Sequence, residues 1–115
     1  MVNCLLHLDQ VFAALGDPTR RRIVERLARG SLTVGEIASG FPMSAPAISK
    51  HLKILERSGV LAREVVGRVH HCRLEPHIMR AAGSWLEKQE RFWNAALDRL
   101  DIELSTAPQR KKKTR

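Results

Sequence analysis

Two cysteines in 115 residues, Cys4 and Cys72, are too few to staple a small fold, so the chain must hold together by packing, with both thiols reduced. No apolar run approaches the length needed to span a bilayer, so no membrane-spanning helix is expected. The opening stretch MVNCLLHLDQ has no basic segment ahead of its apolar residues and no small-residue cleavage site, so the expected location is the cytoplasm. There is no nucleophile paired with a base, no paired acid cluster, no glycine-rich phosphate loop and no metal triad. An enzyme is therefore the reading least supported, and no cofactor is expected. Acid is scarce too: 12 Asp and Glu stand against 20 Lys and Arg, a net charge of +8 that favours a polyanionic partner.

Much of that charge is local. Arg110, Lys111, Lys112, Lys113 and Arg115 fall in residues 105–115, which contain no acid. This stretch is expected to be a disordered basic tail, either a solubilising end or an arm that grips phosphates. The remainder is only mildly basic, and with 43% hydrophobic and 28% charged residues in the whole chain it reads as one globular domain, expected over 1–104.

Within that domain Leu5, Leu8, Val11, Phe12 and Leu15 step at helical spacing and stop at Gly16. Asp17 followed by Pro18 opens a second helix, expected to run to about Arg29 with Ile23, Val24 and Leu27 inward. Thr33 starts a shorter third helix that ends at Gly40, and Ser44 caps a fourth that Gly59 terminates. On the fourth, Ile48, Leu52 and Leu55 share one face while Pro46, Ser49, Lys50, Lys53 and Arg57 fall opposite. The pattern then turns extended from Val60 to Val66 and from Val69 to Leu74, with Gly67-Arg68 between them as a type II′ hairpin turn. A long helix follows from Pro76 to about Glu103, with Trp85, Leu86, Gln89, Phe92, Trp93, Ala96, Leu97, Leu100 and Leu104 in a broad stripe. The expected fold is mainly α with a small β-hairpin, a winged helix-turn-helix in the order α-α-α-α-β-β-α.

Such a fold reads double-stranded DNA when its reading helix carries small and hydrogen-bonding side chains near the N-terminus, so that the backbone approaches base edges, and cations beyond them for phosphates. Ser44, Ala45, Ala47, Ser49, Lys50 and Lys53 supply that mixture, and Arg68 at the wing tip is placed to touch the backbone or minor groove. His51 lies on the flank of this helix, where it either contacts a phosphate or packs against the third helix. The run Arg20, Arg21 and Arg22 is expected to be a solvated face, with a phosphate contact from one of them as the alternative.

The run Phe12-Ala-Ala-Leu-Gly-Asp-Pro-Thr-Arg20, then Arg22-Ile-Val and Leu27, resembles the first two helices of the ArsR-type winged-helix repressors. Val34-Gly-Glu-Ile-Ala38, Met43-Ser-Ala-Pro-Ala-Ile-Ser-Lys-His-Leu-Lys53, Leu55-Glu56 and Ser58-Gly-Val-Leu61 are similar to that family's helix-turn-helix, and Gly67-Arg68 stands at its wing turn. The resemblance leaves out only the tail. It implies a homodimeric repressor joined through the first and last helices, here Leu8, Val11, Phe12, Trp85, Gln89, Phe92, Trp93, Ala96 and Leu100, on an imperfect palindrome. The breadth of the last helix's apolar stripe agrees independently, being more than a small monomer readily covers, unless the two tryptophans close the monomer core.

The same family contains metal sensors. Where thiolate sensors carry Cys-x-Cys this chain has Glu36-Ile37-Ala38-Ser39, and where zinc sensors need a second half-site it has Lys88 and Arg91, which repel a metal. No metal site is expected. A composite of Cys4, His7, His70 and Cys72 is the one non-standard alternative, and Cys72 reads better as a buried hydrophobe. The remaining rival is a winged-helix module that docks a protein, which the basic outer face of the fourth helix disfavours. The inducing signal is not legible.

Overall fold

The computed structural model describes the backbone of residues 2–106 and the side chains of residues 8–105. The tail beyond residue 106 and the side chains of Cys4, Leu5 and His7 lie outside the described residues. In chain order the elements are α1 (Val2–Ala14), α2 (Pro18–Leu27), β1 (Leu32–Thr33), α3 (Val34–Ser39), α4 (Ala45–Arg57), β2 (Leu61–Val66), β3 (Val69–Leu74) and α5 (Pro76–Thr106). The chain divides into two units, residues 1–82 and the part from Gly83 on. None of the described helices is long and apolar enough to cross a membrane.

In the first unit the caps act where the residue types place them. Asp17, in extended conformation, accepts the backbone N–H groups of Thr19 and Arg20 through Oδ2 at 2.9 and 3.1 Å, satisfying two of the orphan donors that open α2. Thr33 and Glu36 form a reciprocal capping box at α3: Thr33 Oγ1 accepts from Glu36 N–H at 3.1 Å, and Glu36 Oε1 accepts from Thr33 N–H at 2.8 Å. Ser44 Oγ accepts from Ala47 N–H at 3.3 Å to start α4. That helix ends where Gly59 takes φ +88°, a left-handed value an L side chain resists.

Ile23, Leu27, Ile37, Ile48, Leu52, Leu55, Val60, Leu61 and Cys72 interlock into one core, with Val11 and Ala14 from α1 and Ala82 from the start of α5. Gly67 has φ +66° and no described non-glycine residue has a positive φ, so Arg68 completes the sign pattern of the expected type II′ turn. Around that turn β2 and β3 pair antiparallel from Val66 opposite Val69 to Leu61 opposite Leu74.

Three details depart from the sequence reading. A two-residue strand, β1, adds a third member to the hairpin: Leu32 lies opposite Cys72 and Thr33 opposite His71, giving the order β1-β3-β2. α2 closes at Leu27 with Ala28 as its C-cap, two residues earlier than expected. The third is the arginine run. Arg20 Nε donates to the Ala14 carbonyl at 2.6 Å and Arg21 Nη1 to that of Leu15 at 2.9 Å, so two of the three guanidinium groups fold back to satisfy orphan carbonyls at the end of α1. Arg22 is exposed, as read.

In the second unit α5 continues as a single helix to Thr106. Along it Trp85, Leu86, Phe92, Trp93, Leu97, Leu100 and Leu104 are exposed, with Gln89 and Ala96 half-buried among them. At 100° per residue these positions span roughly 140° of the helix circumference, a wide apolar stripe. Ile102, also exposed, lies off it.

Candidate nucleic-acid interface

α4 is anchored and presented by one periodicity. Ile48, Leu52 and Leu55 are at most 1% exposed, which pins the helix against the core and turns Ser49, Lys50, Lys53 and Arg57 to solvent. At its N-terminal end Ser44 and Ala45 are exposed and Ala47 half-buried, so no large side chain holds the backbone away from an approaching duplex. The cations lie one to three turns further on. Among the described residues Lys50, Lys53 and Arg57 form no ion pair and are available for phosphates.

The wing is fixed to this helix by a residue that the sequence reading did not single out. Arg63 of β2 is mostly buried; its Nη2 lies 3.3 Å from Glu56 Oε1 in the last full turn of α4, and its Nη1 lies 3.5 Å from His70 Nδ1 on β3. Arg63, His70 and the exposed wing-tip residue Arg68 line a cleft of about 390 Å³ with Thr33, Val34, Gly35 and Val69, and no acid lines it. Glu56, the acid at the edge of an otherwise basic helix, was the available signal for this junction.

A second missed residue shapes the turn into α4. Arg26 donates from Nη1 to the Ile37 carbonyl and from Nη2 to the Glu36 carbonyl, both at 3.2 Å, closing the C-terminal end of α3. Its guanidinium also stands 5.9 Å from the Phe41 ring centroid. A Cβ at Gly40 would run into that guanidinium, so a larger residue there would make the flexible Arg26 tip move aside.

His51 points elsewhere than either option read from the sequence. Its side chain is 17% exposed and its Nδ1 lies 3.2 Å from Arg20 Nη1 and 3.9 Å from Asp17 Oδ2, at the start of α2. The backbone N–H of Arg20 is the main cause that holds the Asp17 carboxyl below its ordinary pKa, and burial opposes it.

The positions read as dimer contacts divide. Leu8 and Phe12 are half-buried on α1, whereas Val11 is fully buried and belongs to the protomer's own core, a correction forced by its place beside Ala14 on the inward side of the helix. On α5, Trp85, Phe92, Trp93 and Leu100 are 38 to 66% exposed.

The described residues do not fit a sensor's metal ion. Cys72 is fully buried and burial raises its thiol pKa, so the thiolate a metal needs is disfavoured. His70 directs Nδ1 at a guanidinium, and Glu75 is engaged by Arg73 at 3.3 Å and His77 at 3.5 Å. Among the described residues no three His, Cys, Asp or Glu side chains converge, and Cys4 and His7 of the composite site lie outside them.

A family model for bacterial regulatory proteins of the arsR family matches residues 17–63, from the cap of α2 into β2. The chain is 43% identical over 89 residues to the HTH-type transcriptional regulator Rv2034 of Mycobacterium tuberculosis, covering 77% of this chain and 80% of that protein. It is 35% identical over 79 residues to the transcriptional repressor SdpR of Bacillus subtilis, covering 69% of this chain and 88% of that one. Among solved structures, the ArsR family transcriptional regulator RHA00566 superposes with a TM-score of 0.69 at 41% identity, over 76% of this chain and 91% of that one. With the capped reading helix and its hairpin wing, these likenesses make the chain a DNA-binding transcriptional regulator that belongs to the arsR family of bacterial regulatory proteins.

Proposed function

We propose that two copies of residues 1–104 pair as a homodimer, occupy an imperfect palindrome and repress transcription by excluding polymerase from it. The observation that carries this reading is the outward face of α4, with small side chains at its N-terminal end and, behind them, three cations that form no ion pair among the described residues. Ser44, Ala45, Ala47 and Ser49 approach base edges in the major groove, Lys50 and Lys53 hold phosphates, and Arg68 reaches the backbone beside the wing. Pairing through the apolar stripe of α5, with Leu8 and Phe12 of α1 contributing, supplies the two-fold symmetry that a palindrome mirrors. Regulators of this family bind double-stranded DNA as homodimers, and the similarity to a repressor supports the direction of control. A metal effector is disfavoured by the donor set, so the signal is sought among other chemistries.

The test is selection from a randomised duplex library by the purified full chain at near-physiological salt. Enrichment of an inverted repeat whose half-sites lie about one helical turn apart, roughly 34 Å, supports the reading. Recovery of unrelated sequences with no symmetry refutes it.

A further inference from the structure

Arg20 touches two helices at once. Its Nε donates to the carbonyl of Ala14, the last residue of α1, at 2.6 Å, and its Nη1 lies 3.2 Å from Nδ1 of His51 on α4. A guanidinium only donates, so this contact requires Nδ1 to be the accepting nitrogen, with the proton of the neutral ring on Nε2. Asp17 stands 3.9 Å from the same nitrogen and is itself fixed by two backbone N–H groups of α2. One mostly buried imidazole on the reading helix is thus met by the N-cap of α2 and by the arginine that closes α1.

We infer that Arg20 and His51 are positioning residues that set the rotation of α4 about its own axis, so that His51 governs which sequence is bound without touching DNA. This rests on the DNA-reading function proposed above. The apolar contacts of Ile48, Leu52 and Leu55 hold α4 against the core but have no strong directional preference, whereas a hydrogen bond weakens steeply with angle. Side-chain tips stand about 5–6 Å from a helix axis, so a rotation of about 10° carries Ser49 or Lys50 through about 1 Å. That displacement breaks a base-edge hydrogen bond and leaves a long, flexible lysine still able to find a phosphate. Misorientation therefore costs selectivity before it costs general affinity.

The experiment compares the full-length chain with His51→Leu, His51→Asn, Arg20→Met and the His51→Leu/Arg20→Met pair. Each is bound to the library-selected duplex and to a scrambled one across a salt series, with circular dichroism and urea unfolding to confirm the fold. Loss of one such hydrogen bond corresponds to a roughly three- to tenfold fall in affinity for the selected duplex. The scrambled duplex and the salt slope are expected to be unchanged. Asn carries an acceptor on the same branch as Nδ1 and is expected to restore most of the selectivity. The double variant is expected to lose little further selectivity beyond His51→Leu alone, because both changes remove the contact to α4, while loss of the Arg20–Ala14 hydrogen bond is read separately in the urea midpoint.

Equal losses on both duplexes with a flatter salt slope would make His51 a phosphate contact and overturn the inference, as would selectivity untouched by His51→Leu. Should that variant not fold, Arg20→Met and His51→Asn decide the same question. A wild-type chain that shows no preference between the duplexes overturns the DNA-reading function, and this inference with it.

Discussion

Lys50→Ala provides the sharpest probe of the reading face, because the lysine is exposed, forms no ion pair among the described residues and lies on the side of α4 opposite Ile48. If its ammonium neutralises one phosphate, binding releases about 0.9 of a counterion there, and a dimer carries the change at both half-sites. The slope of log K against log salt should then fall in magnitude by about 1.8. Over a fourfold rise from 50 to 200 mM salt, wild type would lose about twelvefold more affinity than the variant. Fluorescence anisotropy of a labelled duplex, titrated at four salt concentrations, measures this directly. Lys88→Ala, an exposed lysine of α5, serves as the matched loss of charge away from the reading helix and should leave the slope near that of wild type. Equal slope changes from the two variants would refute the assignment of α4, since the effect would then track total charge rather than position.

Three further outcomes follow from the same structure. Asp17 has a lowered folded pKa, so its stabilising contribution is complete above its ordinary value of 3.8 and drains away as pH falls through the lower folded value. Urea midpoints of Asp17→Asn, which keeps an N-capping side chain, should depend less on pH in that acid range, and an unaltered dependence would show the carboxylate to be unimportant there. Phe92→Glu places a charge on the α5 stripe where the ring is 66% exposed. Analytical ultracentrifugation should find monomer with weakened operator binding, and a persisting dimer would move the interface elsewhere. Removing residues 107–115 should lower affinity alike for operator and random duplex and flatten the salt slope by up to about five phosphate equivalents per chain. An unchanged slope returns this segment to the role of a solubiliser.

The helices and the wing were legible because their punctuation is chemical and local. Asp17-Pro18, Thr33 with Glu36, Ser44, Gly59 and Gly67 each act within four residues of where they stand. β1 was not legible, since two residues show no alternation and its pairing partner Cys72 lies 40 positions from Leu32. Arginines defeated the reading for a related reason. A helical wheel assigns Arg20 and Arg21 to solvent, yet a guanidinium reaches back along the surface to carbonyls six residues earlier, and Arg26 reaches ten and eleven residues forward. Val11 illustrates a different limit. On α1 the apolar positions run from the core face to the outer face without a break, so periodicity marks the stripe but not the line where the protomer ends.

The apolar stripe of α5 has a consequence for abundance. Most helical stability in a protein comes from packing of the apolar face, and Gly83 near the start of this segment weakens the helix on its own. If the proposed pairing runs through this stripe, the second copy would supply part of its order, and stability that depends on association rises with the number of molecules present. Newly made chains at low copy number would be half-assembled, exposed to proteolysis and poor at holding DNA. As synthesis continues, pairing completes and occupancy climbs more steeply than protein level. A regulator built this way has a threshold written into its last helix.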